Sequence, residues 1–379
     1  MQDLPQEILI DILSRLPGDC VLECRRVCKQ WLALTSTPQF VEMHLERATP
    51  VLFMQCVDKS LKNLEMFIFD EGAKANQMIK KKMGAAELMH FAVYTPLLCG
   101  SCNGLLVLRP TSLSSVSFVC NPLTRQKVTV RSPFEPGFAC GVFFHPPTKD
   151  YRLLFVHRRL LFAYESHDFE YFLYSLGGQF WRKLGGFPFR PNPHAPPTIL
   201  NGVLHWIVNP YWIDENDIPP CSNAIMMFNM DTEEFHSMHH PGTECLARQM
   251  HKYVRIFEMK GKLAFCRLYG GFVWLWVLED YENWIWEERY LINLRLGLKG
   301  YPSDSPCSWL ADIKLVDIQN DELLFDWDSR GIFRYNLRNK TAKRINGIGK
   351  KQRPVLPLNN FSRFIVPYTM TFISPSGFE

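Results

Sequence analysis

The chain has 379 residues, of which 47% are hydrophobic and 21% charged, and its formal net charge is +4. This balance is typical of a globular protein that buries a sizeable core. The longest apolar run, Phe272 to Leu278, is far shorter than the roughly 20 residues of a membrane-spanning helix. We therefore expect no membrane partner, and the small charge does not favour a nucleic-acid partner.

The twelve cysteines are scattered along the chain, and no secretory signal is visible at its start. In this context, thiols usually serve as small buried hydrophobic groups in a reducing compartment. We expect free thiols and a location in the cytoplasm, the nucleus or both.

Three short helices are predicted within residues 1–48. The first begins at Pro5 and stops at Pro17, the second starts near Asp19, and the third covers the RRVCKQWLAL stretch. The apolar residues of the first helix cover more than one narrow stripe, so a single neighbouring helix could not bury them all. This surplus of apolar surface predicts a helical protein partner.

The same segment resembles the F-box motif, carried by LPQEILIDILSRLP, Val21-Leu22 and CRRVCKQW. The resemblance implies docking onto the Skp-family adaptor, and through it onto the cullin and RING subunits of a ubiquitin ligase. The implied adaptor-binding residues are Leu4, Pro5, Ile8, Leu9, Ile12, Val21, Leu22, Val27 and Trp31. The alternative is that these residues form only a small core within the chain itself.

A repeated phrase runs through the remaining chain: an apolar or aromatic run that ends in a small polar residue. Its copies recur every 51 to 56 residues and end at Asp70, Asn121, Ser175, Asn229, Asp280 and Asn336. A second phrase, a turn that leads into a strand, precedes several copies: NGLLVL, NGVLHWI, KGKLAF and NDELLF. Short strands in such a period predict a mainly β fold, a β-propeller of about six blades following the N-terminal helices.

The segment Phe361 to Ile373 alternates like a strand and is predicted to complete the first blade. GSCNGLLVL, CNPLTRQ and FVWLWVLEDYENWIW resemble the F-box-associated, kelch-like interaction domain of plant F-box proteins, which implies a target-recognition region at residues 49–379. The phrases are hardest to place between Pro136 and Arg159.

The stretch CGSCNG at Cys99–Gly104 allows a catalytic alternative, a thiol hydrolase with Cys102 as nucleophile. A nucleophile elbow requires a helix after the cysteine, whereas LLVLRPTSLSSVSFVC reads as strand. We expect Cys102 to be packed at a turn, with Asn103 and Gly104 at positive φ.

No metal site or cofactor is predicted. Cys20, Cys24 and Cys28 are spaced by four residues but lack a completing ligand, and the HSMHH run at His236–His240 is expected on a blade-end loop and lacks a fourth ligand. We expect packed or solvated side chains at both places.

The target of the predicted propeller is an unknown protein. The loop VNPYWIDENDIPPC is longer than a hairpin requires, and Tyr211 and Trp212 within it are typical binding anchors. Together with Arg158 and Arg159 they are the candidate target-contact residues.

The predicted function is a non-catalytic, substrate-recognition subunit of a Skp–cullin–F-box ubiquitin ligase, which leads its target to ubiquitination and degradation. A Skp-binding scaffold that acts outside degradation is the principal alternative.

Overall fold

The computed structural model describes residues 4–57, 64–69, 96–110, 116–158, 169–193, 195–209, 220–245, 248–269, 271–294, 313–319, 321–327, 331–345 and 363–376. Within them, four helices precede all the strands: α1 (Gln6–Ser14), α2 (Gly18–Cys24), α3 (Lys29–Thr35) and α4 (Pro38–Arg47). The first helix begins after Pro5, as predicted, whereas the second begins at Gly18 with Pro17 at its N-cap, so Asp19 lies inside α2 and does not cap it.

The third helix is shorter than predicted, and the fourth was not predicted. Helix α3 starts at Lys29 because the Cys28 thiol caps it, accepting a hydrogen bond from the Trp31 N–H at 3.5 Å. Helix α4 starts with Pro38, and the hydroxyl of Thr37 accepts a hydrogen bond from the Phe40 N–H at 3.2 Å. The Thr37-Pro38 pair is a helix-start signal, with a hydroxyl at the N-cap and a proline at the first helical position.

Twenty-three strands follow in the described residues: β1 (Val51–Val57), β2 (Leu64–Phe69), β3 (Pro96–Cys102), β4 (Leu105–Pro110), β5 (Val116–Asn121), β6 (Gln126–Arg131), β7 (Gly137–His145), β8 (Asp150–Arg158), β9 (Phe169–Ser175), β10 (Trp181–Phe187), β11 (Thr198–Leu200), β12 (Val203–Ile207), β13 (Ile225–Asn229), β14 (Phe235–Met238), β15 (Val254–Met259), β16 (Lys262–Tyr269), β17 (Phe272–Asp280), β18 (Ile285–Asn293), β19 (Ile313–Gln319), β20 (Glu322–Trp327), β21 (Gly331–Asn336), β22 (Thr341–Arg344) and β23 (Arg363–Tyr368).

The strands form antiparallel sheets of consecutive strands, as the blades of a propeller do. Five described sheets have four strands each: β3–β6, β7–β10, β11–β14, β15–β18 and β19–β22. A further sheet has three described strands in the order β2-β1-β23. The mainly β prediction is confirmed, and five complete four-stranded blades are slightly fewer than the predicted six or so.

The last strand closes the ring, as predicted. Strand β23 pairs with β1 in antiparallel register, with Tyr368 opposite Val51 and Arg363 opposite Cys56. The N-terminal and C-terminal parts of the propeller therefore share one sheet, which covers an edge that would otherwise be open.

The repeated phrase forms the third strand of each four-stranded sheet, and its final polar residue shapes the next turn. The side-chain oxygens of Asn121, Asn229, Asp280 and Asn336 each accept a hydrogen bond from the backbone N–H two residues later, at 2.9 to 3.0 Å. These are Asx turns, which explains why a short polar side chain recurs at this place.

The second phrase begins with the turn between the first and second strands. Asn103 and Gly104 have φ of 49° and 87°, as predicted, and Asn201, Lys260 and Asp321 have φ of 50° to 60° at equivalent turns. Two-residue hairpins require positive φ because it matches the twist of the paired strands.

These connections divide the propeller into two ends. Because every strand crosses its blade once, the turns between first and second strands and between third and fourth strands lie at one end, which we call the turn face. Second-to-third-strand connections and crossings between blades lie at the other end, the loop face. Residues Asn103, Asn121 and Asn201 mark the turn face, and the end of β8 at Arg158 and the end of β12 at Ile207 mark the loop face.

Candidate protein-binding surface

The N-terminal helices are packed onto the turn face of the propeller. Leu13 of α1, Val21 of α2 and Phe40 of α4 belong to one buried cluster with propeller residues such as Leu105 and Leu123. The helices and the β domain therefore share a continuous core and are not separated by an open linker.

The C-terminal segment after β23 lies between the helices and the propeller. The Phe372 ring lies 5.4 Å from the His44 ring and 6.4 Å from the Phe40 ring, and the Arg25 guanidinium is 3.8 Å above its centroid. A Cβ at Gly18 would lie 2.7 Å from the Met370 carbonyl oxygen, so only glycine allows α2 to approach this closely.

Hydrogen bonds hold this segment against the sheet formed by β3–β6. The Asn121 side-chain amide donates to the carbonyl oxygens of Thr371 and Ile373, both at 2.8 Å. The Thr371 hydroxyl donates to the Asn103 carbonyl oxygen at 2.6 Å. Residues 369–376, which follow β23 and which we call the wedge, thus fix the helices to the propeller.

Arg25, which was not among the predicted site residues, joins the helices to this wedge. Its Nε donates to the Thr35 hydroxyl at 3.0 Å, another of its nitrogens donates to the Thr35 carbonyl, and its guanidinium covers Phe372. Burial lowers the pKa of Arg25 to about 10. The only sequence signal for this role was its place in the Arg25-Arg26 pair of the motif.

The opposite side of the helices carries exposed apolar side chains. Of the eleven large apolar residues that are exposed in the described part of the chain, five lie between residues 4 and 32: Leu4, Ile8, Ile12, Val27 and Leu32, with exposed fractions of 54%, 46%, 47%, 66% and 47%. The four-residue spacing of Ile8 and Ile12 places them on the same side of α1. We call these five residues the outer apolar surface.

Charged groups border this surface on α1. Arg15 and Arg47 both contact Asp11, with Nη2–Oδ1 and Nη1–Oδ1 distances of 3.1 and 2.8 Å. Hydrogen bonds from Arg15 and then Arg47 hold the pKa of Asp11 below its ordinary value. An apolar centre beside exposed ion pairs has the composition of a protein–protein interface.

The predicted adaptor-binding residues differ in how far the structure exposes them. Pro5 is exposed like Leu4, Ile8, Ile12 and Val27, whereas Leu9, Leu22 and Trp31 are half-buried. Val21 is a correction: it is 0% exposed because it lies in the core shared with the propeller, so no partner can contact it. Leu32, which was not among the predicted residues, is also exposed on α3.

Of the four predicted target-contact residues, only Arg158 lies within the residues that the structure describes. Arg158 is the last residue of β8 and pairs with Phe169 at the loop face. Arg159, Tyr211 and Trp212 lie outside the described residues. By chain order, Arg159 lies in the connection between β8 and β9, and Tyr211 and Trp212 lie in the connection between β12 and β13. Each of these connections joins the second strand of a blade to the third.

Cys102 lies at the end of β3, and a two-residue turn leads from it into β4. A helix would have to begin there in a nucleophile elbow. Burial raises the pKa of the Cys102 thiol to about 12, so the reactive thiolate is scarce at neutral pH. The packed role predicted for this cysteine is therefore favoured by its surroundings.

The HSMHH histidines differ in burial, although the rings of His239 and His240 lie 5.1 Å apart. His236 and His239 are exposed, whereas His240 is buried beside two cysteines and a fourth side chain, His251. The four side chains of this group are up to 30 residues apart in the sequence, so local spacing did not predict it. No helix in the described residues is both long and apolar enough to cross a membrane.

Comparisons with known proteins agree with this architecture. The model of the F-box associated beta propeller domain matches residues 52–364, and the F-box-like model matches residues 1–42. Among similar proteins are two from Arabidopsis thaliana. F-box protein At3g07870 is 24% identical over 89% of this chain and 85% of its own length, and F-box protein At4g19940 is 22% identical over 93% and 87%.

A solved structure with a similar course of the chain is found in the crystal structure of a nidogen/laminin complex, with 12% identity and a TM-score of 0.46, covering 85% of this chain and 99% of that chain. The F-box associated beta propeller model spans most of the chain, and the F-box-like model covers its N-terminal helices up to residue 42. The chain therefore belongs to the family of F-box proteins that carry an F-box associated beta-propeller domain.

Proposed function

We propose that this chain is the substrate-recognition subunit of a Skp–cullin–F-box ubiquitin ligase. Its helices bind a Skp-family adaptor, its propeller binds a target protein, and other subunits transfer ubiquitin. The chain performs no chemistry itself. It acts by raising the effective concentration of the target near the conjugating enzyme. The free thiols among its described cysteines suit the proposed location in the cytoplasm, the nucleus or both.

The outer apolar surface carries this proposal. The inner sides of the helices already have a partner in the propeller and the wedge, so the helices do not need a further one to complete their own core. Leu4, Ile8, Ile12, Val27 and Leu32 nevertheless remain exposed on the other side. Such a concentration of exposed large apolar side chains within one short stretch of the chain favours an interaction site there.

The arrangement of the two faces supports a role as a bridge. The helices occupy the turn face, whereas the connections that contain the candidate target-contact residues belong to the loop face. An adaptor and a target could then bind at opposite ends without competing for the same surface. We propose the loop face as the target-binding end.

The first test is direct binding of the purified full-length chain to a Skp-family adaptor. Ile8→Asp and Ile12→Asp place a charge in the proposed interface and are expected to weaken binding by about 30-fold or more, the effect of a loss of about 2 kcal/mol. Ile285→Asp is the matched control, since Ile285 is 52% exposed but lies on β18 of the propeller. It should bind like the unaltered chain.

Equal binding by Ile8→Asp and the unaltered chain would overturn the adaptor assignment. A second measurement separates degradation from scaffolding: the abundance of proteins that the chain captures while the proteasome is blocked. Targets of a ligase should accumulate when the chain is removed or carries Ile8→Asp. Unchanged abundance of every captured protein would instead favour the scaffold.

A further inference from the structure

Four metal-binding side chains meet near the loop-face end of the third and fourth four-stranded blades. Cys221 begins a short 3-10 helix before β13, His240 follows β14, Cys245 lies in the crossing to the next blade, and His251 lies in the 3-10 helix before β15. Their ligand atoms all lie within 4.8 Å of one another. These residues, the Cys221 cluster, come from three separate segments of the chain.

The spacing within the Cys221 cluster matches that of a tetrahedral zinc site. Cys221 Sγ lies 3.4 Å from His251 Nε2, and Cys245 Sγ lies 3.5 Å from His240 Nε2. Zinc binds thiolate at about 2.3 Å and imidazole at about 2.0–2.1 Å, so tetrahedral angles put a sulfur and a nitrogen ligand about 3.5 Å apart. The two cysteine–histidine pairs already have this separation.

The orientation of His240 is also suitable. Its Nδ1 lies 2.8 Å from the Pro241 carbonyl oxygen, which can only accept, so Nδ1 carries the proton. Nε2 therefore presents its lone pair toward Cys245. A backbone carbonyl that fixes the tautomer of a histidine in this way is the usual outer partner of a zinc ligand. The ring also stacks on Phe265 at a centroid distance of 5.4 Å, which fixes its plane.

The surroundings favour a closed site. Cys221, His240 and His251 are buried, and Cys245 is half-buried. The backbone N–H groups of His240 and Cys245 donate to the Cys221 carbonyl oxygen at 3.3 Å and to its sulfur at 3.4 Å. Zn²⁺ with two thiolates and two neutral imidazoles is a neutral unit, so burying it costs less than burying an unpaired charge.

We propose that Cys221, His240, Cys245 and His251 bind one structural Zn²⁺ ion. Four protein ligands fill a tetrahedral shell and leave no position for water, so the ion stabilises the fold and does not act as a catalyst. The site joins the start of β13 to the crossing between β14 and β15. Cys221 follows Pro220, which ends the connection between β12 and β13, so the ion anchors the β13 side of the connection that contains Tyr211 and Trp212.

This assignment replaces the expectation that the HSMHH run lacks a fourth ligand. The run contributes a single ligand, His240, and the other three lie 19 residues before it and 5 and 11 residues after it. The spacing does not follow the short cysteine or histidine pairs of common zinc motifs. Only the pairing of β13 with β14 brings Cys221 beside His240.

The test measures metal in the purified full-length chain. The protein is incubated with Zn²⁺, desalted and analysed for zinc by mass spectrometry, and a second sample receives Co²⁺ for absorption spectroscopy. We expect about one zinc ion per chain, and tetrahedral Co²⁺ bands with thiolate charge transfer that vanish when Zn²⁺ is added. Cys245→Ser should reduce retained zinc by about tenfold or more, since it removes one of the four ligands.

Two control variants locate the ion. His239→Asn changes the exposed neighbour of His240, and Cys20→Ser removes an exposed thiol of α2, and both should keep the full zinc content. An unaltered chain that retains no zinc and gives no cobalt–thiolate bands would overturn the proposal, whether or not Cys245→Ser folds. Full zinc retention by a folded Cys245→Ser would do the same. Neither outcome depends on Skp binding.

Discussion

At the scale of single residues, buried polar side chains give this propeller a dependence on pH. His205 on β12 is buried, its Nδ1 donates to the Thr198 carbonyl oxygen at 3.2 Å, and its Nε2 accepts from the Tyr281 hydroxyl at 2.7 Å. Burial lowers the pKa of His205 to about 4. The folded protein therefore holds this ring neutral under conditions in which the unfolded chain would protonate it.

The sign of the effect follows from the two pKa values. Between the unfolded value of about 6.5 and the folded value of about 4, the unfolded chain binds more protons, so stability falls as pH falls. From pH 7 to pH 5, we expect His205 to account for a loss of about 2 kcal/mol in the free energy of unfolding. Urea denaturation at both pH values should show that His205→Gln loses about 2 kcal/mol less unfolding free energy between pH 7 and pH 5 than the unaltered chain does.

His236→Gln is the control for this measurement, because His236 is exposed and lies on the same blade. It should lose as much stability between pH 7 and pH 5 as the unaltered chain. If His205→Gln also shows the unaltered loss, the ring is not held neutral in the folded protein.

At the scale of elements, equivalent turns in different blades differ in how closely other atoms pack against them. Gly104 and Gly261 occupy equivalent positions in the turns before β4 and β16, with φ of 87° and 77°. A Cβ at Gly261 would meet no atom within 4 Å, whereas a Cβ at Gly104 would lie 2.3 Å from the Thr371 hydroxyl oxygen and 2.7 Å from the Thr369 carbonyl oxygen. The difference is the C-terminal wedge.

This pair of glycines gives a matched prediction. Gly261→Ala should cost about 1 kcal/mol in unfolding free energy from positive φ alone, and Gly104→Ala should cost about 2 kcal/mol more because the wedge must move. Chemical denaturation of both variants provides the comparison. Equal losses would show that the wedge does not press on the turn before β4.

At the scale of the whole molecule, the helices and the propeller form one cooperative unit. The sheet formed by β3–β6 shares one buried core with Leu13, Val21 and Phe40 of the helices. Phe372 lies between the helices and the propeller. A chain without residues 1–48 would expose this apolar surface to water. We expect such a chain to unfold at least about 5 °C lower than the intact chain, or to aggregate.

Scanning fluorimetry and circular dichroism can check this expectation. In the intact chain, loss of helical signal and loss of tryptophan signal should occur in one transition. Ile8→Asp changes only the outer apolar surface and should leave that transition where it is. Helices that melt well before the propeller, or a truncated chain with unaltered melting, would contradict the shared core.

The sequence by itself determined those features that depend on neighbours along the chain. Pro5 precedes α1, Pro17 lies between α1 and α2, and the Asn or Asp that ends four of the five described third strands forms an Asx turn with the residues that follow it. Such interactions are complete within a few residues, so the F-box helices and the period of the blades could be predicted. The segment Pro136–Arg159 was hard to place because its turn uses Pro146–Thr148 and Lys149 in place of an Asn-Gly pair.

Only the tertiary structure decided which surfaces remain free and which side chains meet. Helical spacing cannot distinguish Val21, which faces the propeller core, from Ile8, which faces outward, because both fit an apolar pattern. Likewise, Asn121 bonds to a segment 250 residues later, and Cys221 meets His251 across 30 residues. These contacts depend on the closure of the ring and on the packing of the blades, and no local pattern in the sequence records that geometry.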